Sequence, residues 1–237
     1  MTEMKLQNVR KAIKNTNNLA LEIMTRWENV CKDTISPEED FDYIPVTEKY
    51  YVSGLNVKDN GKYKTVALNN DFFIDKKDDL IAVLEKMYKL YNLSRVTFLI
   101  VGDPNNPLGV LNHSDLNSLP FLHLMWDVFY NFETKLANSL KDRYDDECVE
   151  NMLEGKEELA YIKDKKNNQE LKPIFYLGLK RKIKLYNKLY KNNKINIEVM
   201  FRNNMAHPKS KAKVINNKNE IPRLYKTLVG IDDFLSL

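Results

Sequence analysis

Glycine is scarce in this chain, with 7 among 237 residues, and proline contributes 8. So few turn formers argue against a β-sandwich or barrel and for longer elements joined by ordinary loops. Cysteine is scarcer still: Cys31 and Cys148 stand alone, without a C-x-x-C pattern or a metal-ligand spacing. Reduced thiols are therefore expected, and neither a disulfide framework nor a bound metal is. No apolar run approaches the roughly 20 residues that cross a bilayer, and the opening Met-Thr-Glu-Met-Lys lacks the apolar centre of a secretory signal. A cytoplasmic protein with no membrane partner is the expectation. Also missing are G-x-x-x-x-G-K-[ST] and G-x-G-x-x-G, which removes the glycine signatures of P-loop phosphoryl transfer and of dinucleotide binding.

One region lacks acids. The formal charge of the whole chain is only +4, but the lysines and arginines from Lys172 to Lys213 are accompanied by the single acid Glu198. Such a stretch repels itself unless it faces solvent or a polyanion. Inside it lies Met200-Phe201-Arg202-Asn203-Asn204-Met205-Ala206-His207-Pro208, preceded by the apolar Ile195, Ile197 and Val199. The run reads as a helix that stops at Pro208, because proline disfavours the helical region for the residue before it. Arg202, Asn203 and His207 then collect near one helix end. A guanidinium grips phosphate through paired hydrogen bonds, and imidazole exchanges protons near neutrality. Together these groups match cleavage of an RNA phosphodiester without metal; a helix cap at His207 and a surface ion pair at Arg202 are the plainer reading.

Hydrophobic spacing divides the remainder. Leu6, Val9, Ile13, Leu19, Ile23, Trp27 and Val30 repeat at near-helical intervals, broken by Asn15 to Asn18, and Ser36-Pro37 opens a turn. Strands are predicted at residues 41–46, 50–57 and 63–68, with Asp59-Asn60-Gly61 as a turn. A helix is predicted over 79–91, strands over 95–102 and 108–111 around the tight Asp103 to Pro107 loop, and a helix N-cap at Ser114. From 118 to 144 one long helix follows, kinked near Pro120. Further helices are predicted over 145–164 and 173–190, with a last one from Pro222. Helices connected this way form an antiparallel bundle.

The pattern Arg-Asn-x-x-Ala-His-Pro at 202–208 resembles the R-x(4 to 6)-H motif of HEPN domains, the higher eukaryote and prokaryote nucleotide-binding family, and Asn203 matches the polar residue that often follows the arginine there. The resemblance implies a helical bundle at 118–237 with Arg202, His207 and Asn203 as catalytic residues and an acid on the first helix, for which Glu133 is the candidate. It also implies a C2 homodimer with two motifs lining one cleft. Residues 96–101 followed by Gly109-Val110-Leu111-Asn112-His113-Ser114-Asp115-Leu116 resemble a cystathionine-beta-synthase (CBS) motif. A first, weaker copy is read at about 19–58 and the second at about 64–117, making 1–117 a paired, or Bateman, module. That resemblance implies an adenine-nucleotide regulatory ligand held by Asp115, Ser114 and Asn112; Asn112 stands where the family carries Thr or Ser. An antiparallel hairpin at Asp103 to Pro107 argues against a Rossmann-like sensor, which would insert a helix there.

The fold class expected is α+β: a CBS-like α/β module followed by a HEPN-like antiparallel helical bundle. The function expected is a metal-independent endoribonuclease acting on RNA, needing no cofactor for catalysis, of a kind often found as a toxin or defence effector, with an antitoxin or regulatory partner. A non-catalytic nucleotide- or RNA-binding regulator that dimerises through its bundle is the alternative.

Overall fold

A computed structural model describes residues 6–13, 19–26, 43–48, 51–59, 62–206 and 213–237. The protein is α+β, with its strands in the N-terminal half and a helical C-terminal region. Helices are α1 (Gln7–Ala12), α2 (Ala20–Ile23), α3 (Leu80–Ser94), α4 (Leu119–Leu140), α5 (Asp146–Glu150), α6 (Lys156–Lys166), α7 (Leu179–Leu189), α8 (Val199–Ala206) and α9 (Ile221–Leu235). Strands are β1 (Thr25–Arg26), β2 (Tyr43–Glu48), β3 (Tyr51–Asp59), β4 (Lys62–Ala67), β5 (Phe73–Ile74), β6 (Leu99–Asp103) and β7 (Asn106–Leu111).

Two compact units divide the chain. One holds residues 126–203 and 226–237 together with 6–13; the other holds the sheets together with 204–206 and 213–225. This differs from a single cut between 117 and 118. The N-terminal α1 belongs to the helical unit because its backbone is satisfied there: Val9 N–H, in the uncapped first turn, donates to Asp232 Oδ1 at 2.7 Å, and Asn131 Nδ2 donates to Ala12 O at 2.7 Å. Unpaired N–H and C=O groups at helix ends need such partners when buried. Residues 213–225 join the sheet unit through similar bonds, Ile215 N–H donating to Asn117 Oδ1 at 3.0 Å and Tyr91 OH to Asn219 at 2.7 Å.

In the sheet unit, β2-β3-β4 form an antiparallel meander, with Asp59 opposite Lys62, and β1-β7-β6-β5 form a second sheet. Within the latter β5 and β6 are parallel and the other pairs antiparallel. The strand preceding α3 in that sheet is therefore Phe73–Ile74, and the predicted strand at 63–68 pairs in the meander instead. Two residues are too few to show an alternation, which is why the sequence conceals β5. α3 begins at Asp79, whose carboxylate accepts Ala82 N–H at 2.7 Å, and buries Leu80, Val83, Leu84, Met87 and Tyr91. Gly102, with φ +108°, sits at a bulge between Val101 and Gly102 that turns the chain into the β6–β7 hairpin. Gly109 faces β1 so closely that a Cβ would stand 2.5 Å from Thr25 O.

Three predicted helices differ, one at its start and two by division. Ser114 is not the N-cap; Asn112 caps a 3-10 turn, His113–Asn117, and α4 starts only after Ser118. Pro120 thus falls in the first turn of α4, where its missing N–H breaks no bond and calls for no kink. The helix predicted over 145–164 divides into α5 and α6 at Gly155, whose φ of +56° leaves the helical region. That over 173–190 becomes a 3-10 turn, Pro173–Phe175, and α7, separated at Gly178. Among the described residues the pattern before residue 32 yields the short α1 and α2 and the unforeseen β1; Trp27, Val30, Cys31 and Ser36-Pro37 lie outside the described residues.

The helical unit is cored by α4. Phe129, Phe132, Leu136 and Leu140 are almost wholly buried, each worth on the order of 2 kcal/mol. Phe234 of α9 meets Phe132 edge to face at 5.2 Å and Tyr186 of α7 at 5.3 Å. Among the described residues no helix is long and apolar enough to cross a membrane.

Candidate functional site

Three helices of the helical unit bring charge to one place. α7 buries Leu179, Lys182 and Tyr186, a stripe at i, i+3 and i+7, so a lysine occupies a core position. Lys182 is 2% exposed, and its Nζ donates to Glu133 Oε1 at 3.1 Å and to Phe175 O at 3.2 Å. The other oxygen of the same carboxylate, Glu133 Oε2, accepts from Arg202 at 3.3 Å. Glu133 on α4 is thus a bridge between a buried cation on α7 and a half-buried one on α8.

The approach to α8 is fixed by backbone bonds. Asn187, near the end of α7, takes Ile195 N–H at 2.7 Å and gives Nδ2–H to Ile195 O at 2.9 Å, clamping the loop that follows. Thr227 Oγ1 of α9 accepts Glu198 N–H at 3.2 Å, at the start of α8. Phe201 is fully buried, which anchors the turn that carries Arg202. A neighbouring pair supports α7 from α6: Arg181 bonds Glu157 at 2.6 Å and Met152 O, while Glu157 also accepts Gly178 N–H at 3.0 Å.

Burial pulls the Lys182 ammonium below the usual lysine range, against the attraction of Glu133, and Arg202 adds to the lowering. Two cations on one carboxylate leave the cluster a net positive charge. Arg202 bonds Glu133, among the described residues, through one terminal nitrogen, while a guanidinium carries five donors. With 29% of its side chain exposed, it retains donors for an outside acceptor.

The expected residues fare differently. Glu133 and Arg202 are together. Asn203 is exposed and makes no hydrogen bond with either among the described residues. His207 and Pro208 lie outside the described residues. Lys182 escapes the sequence reading, which counts it among the lysines and arginines from Lys172 to Lys213 that face solvent or a polyanion. Its signal was position, three residues after Leu179 and four before Tyr186.

Asn112, Ser114 and Asp115 sit together in the sheet unit, bonded to one another. Asn112 Oδ1 accepts Ser114 N–H at 2.7 Å and the Ser114 hydroxyl at 2.6 Å, and Asp115 Oδ2 accepts Asn112 N–H at 2.7 Å, a capping box on the 3-10 turn. Burial pushes the Asp115 carboxyl up to about 6, and the Asn112 N–H offsets only part of that. A separate cleft of about 280 Å³ opens at the carboxyl ends of the parallel β5 and β6, lined by Ile74, Asp75, Lys76, Gly102, Asp103 and Asn106 among others. None of Asn112, Ser114 and Asp115 lines it. The residues past a parallel strand end are where open α/β sheets hold ligands. Its Asp103 carboxylate is occupied by Asn105 and Asn106 N–H groups at 2.9 and 3.0 Å.

Compared with protein-family models, with curated protein sequences and with solved structures, the chain matches none.

Proposed function

We propose that the chain is a metal-independent endoribonuclease, with a HEPN-like helical unit performing the cleavage and a CBS-like sheet unit regulating it in response to an adenine nucleotide. The observation that carries this reading is the Glu133 carboxylate shared by Lys182 and Arg202. It holds a half-exposed guanidinium in place with donors to spare, and the sequence puts an imidazole five residues further on.

The chemistry asks for three things. An RNA 2′-oxygen bonds to the adjacent phosphorus as the bond from phosphorus to the 5′-oxygen breaks. A neutral imidazole takes the 2′-hydroxyl proton, and a protonated one returns a proton to the leaving oxygen, giving a 2′,3′-cyclic phosphate and a 5′-hydroxyl. Negative charge gathers on the phosphoryl oxygens, where Arg202 offsets it. In this reading His207 moves the protons, Asn203 orients an oxygen, and Glu133, set by Lys182, aims Arg202. One chain supplies one such set, and a homodimer would face two across a cleft. Asp115, Ser114 and Asn112 would contact the regulatory nucleotide, which has to compete for the bonds they make to each other.

The test is incubation of the purified protein with labelled single-stranded RNA in EDTA, with and without adenine nucleotides, for the wild type, Arg202→Ala and His207→Ala. Cleavage to cyclic-phosphate ends that survives chelation and vanishes in both variants is the expected result; intact RNA in every lane, or equal cleavage by the variants, overturns the reading. The engagement of Arg202 by Glu133 favours a second reading, a non-catalytic regulator in which the trio only joins helices, and intact RNA would support it.

A further inference from the structure

Glu133 marks a change along α4. Ala137, one turn further on, is 1% exposed, whereas Tyr130 and Trp126, one and two turns before, are 62% and 46% exposed. Residues 126, 130 and 133 follow i, i+4, i+7 spacing and so share one stripe of the helix. At about 1.5 Å per residue, Tyr130 lies about 4.5 Å and Trp126 about 10 Å along the axis from the residue that holds Arg202. Two large rings thus stand about half exposed in line with the carboxylate that holds Arg202.

Their surroundings limit what could cover them. An aromatic ring offers roughly 150–250 Å², so two half-exposed ones present far less than the roughly 800 Å² per partner of a stable protein interface. The residues between and beside them, Asp127 and Asn131, are polar and half-buried. The charge on the same stripe adds a sign, since Lys182 and Arg202 share the single Glu133 carboxylate. Planar rings beside positive charge suit the flat faces of bases whose phosphates run past the cations.

We propose that Trp126 and Tyr130 form a stacking platform for unpaired bases of a single-stranded RNA, on the same stripe of α4 as Glu133 and hence beside the phosphate held by Arg202. The proposal rests on the nuclease reading and deepens it, since it makes single-stranded RNA the substrate class.

The test uses a probe that cannot be cut, a fluorescein-labelled ten-nucleotide 2′-O-methyl oligouridine, with binding read by anisotropy. Trp126→Ala and Tyr130→Ala should each weaken binding about tenfold, within the range that loss of one stacked base gives. Trp126→Phe and Tyr130→Phe should restore most of it, and a duplex of the same length should bind the wild type more weakly. Both positions are exposed, so thermal unfolding of the variants should match the wild type. Alanine variants that bind as the wild type does, or a wild type that binds no single-stranded probe, overturn the platform. So does a dimer that the alanine variants convert to monomer with binding unchanged, which would assign the rings to contact between copies. Ring-dependent binding of the probe with ordinary RNA left intact keeps the platform and removes the nuclease; cleavage that both alanine variants perform at the wild-type rate keeps the nuclease and removes the platform.

Discussion

The two candidate sites are made from the same kinds of polar side chain by opposite routes. Asn112, Ser114 and Asp115 are near neighbours in the chain and bond each other within a single turn. Glu133, Lys182 and Arg202 come from three helices, with 49 and 69 positions between the bonded residues. A turn-local network costs little chain entropy and forms wherever the turn forms. A network spanning helices exists only when those helices pack, so its energy is tied to the stability of its unit. Burial disfavours the charged form in both, but Lys182 is fully buried and keeps two acceptors, Glu133 and Phe175 O, whereas half-buried Asp115 has one backbone N–H to offset its loss of water.

That contrast can be broken most forcefully at the helical site. Arg202→Ala and His207→Ala should each lower EDTA-resistant RNA cleavage by about two to four powers of ten, measured in single-turnover assays. Cleavage that depends on Asp115 but not on Arg202 would reverse the assignment of the two units.

Next in size is Lys182→Met. It keeps the apolar stem, strips Glu133 Oε1 of its partner while Oε2 stays bonded to Arg202, and should lower stability by about 2 kcal/mol in urea unfolding. Glu133→Leu combined with Lys182→Met should cost less than the two single changes summed, because each single change already breaks the pair. Additive costs would show that the two side chains do not form one network.

At Asp115 the sign turns over. Its carboxyl is raised from the ordinary value of 3.8 to about 6, so the folded protein binds this proton more tightly than the unfolded chain between those values. The stability contributed by the group therefore falls as pH rises through that window, and at neutral pH the ionised form is a cost. Asp115→Asn should raise the unfolding free energy measured in urea at pH 7.5 by on the order of 2 kcal/mol and flatten the pH dependence of stability between about 4 and 6. A loss of stability at pH 7.5 would mean that the bond to Asn112 N–H outweighs burial.

The smallest effect belongs to a pair that is distant in sequence but exposed. Lys172 Nζ meets Asp142 Oδ1 at 3.0 Å with side-chain exposures of 45% and 69%. Lys172→Met should leave the urea midpoint unchanged. A clear drop would show that sequence separation, and not burial, sets the worth of these bonds.

Much of the local architecture was legible. Asp79 before an apolar repeat marks the start of α3, and the Asp103 to Pro107 loop between apolar runs marks the antiparallel hairpin of β6 and β7. Resemblance to the HEPN pattern pointed to Glu133, and the folded chain sets its carboxylate against Arg202. Lys182 was hidden because a lysine in a basic helix reads as solvated until another helix covers it. Strands β1 and β5 were hidden because two residues carry no period, and Gly155 and Gly178 because a glycine inside a helical pattern is often tolerated.

The sequence by itself determined where turns, caps and apolar stripes fall, since these depend on residues within about one helical turn of each other. Only the tertiary structure decided that the stripe of α4 is covered at Ala137 and open at Tyr130, that α1 belongs with α9, and that one carboxylate serves two cations. Burial and pairing depend on groups brought from elsewhere in the chain, and no window of local sequence contains them.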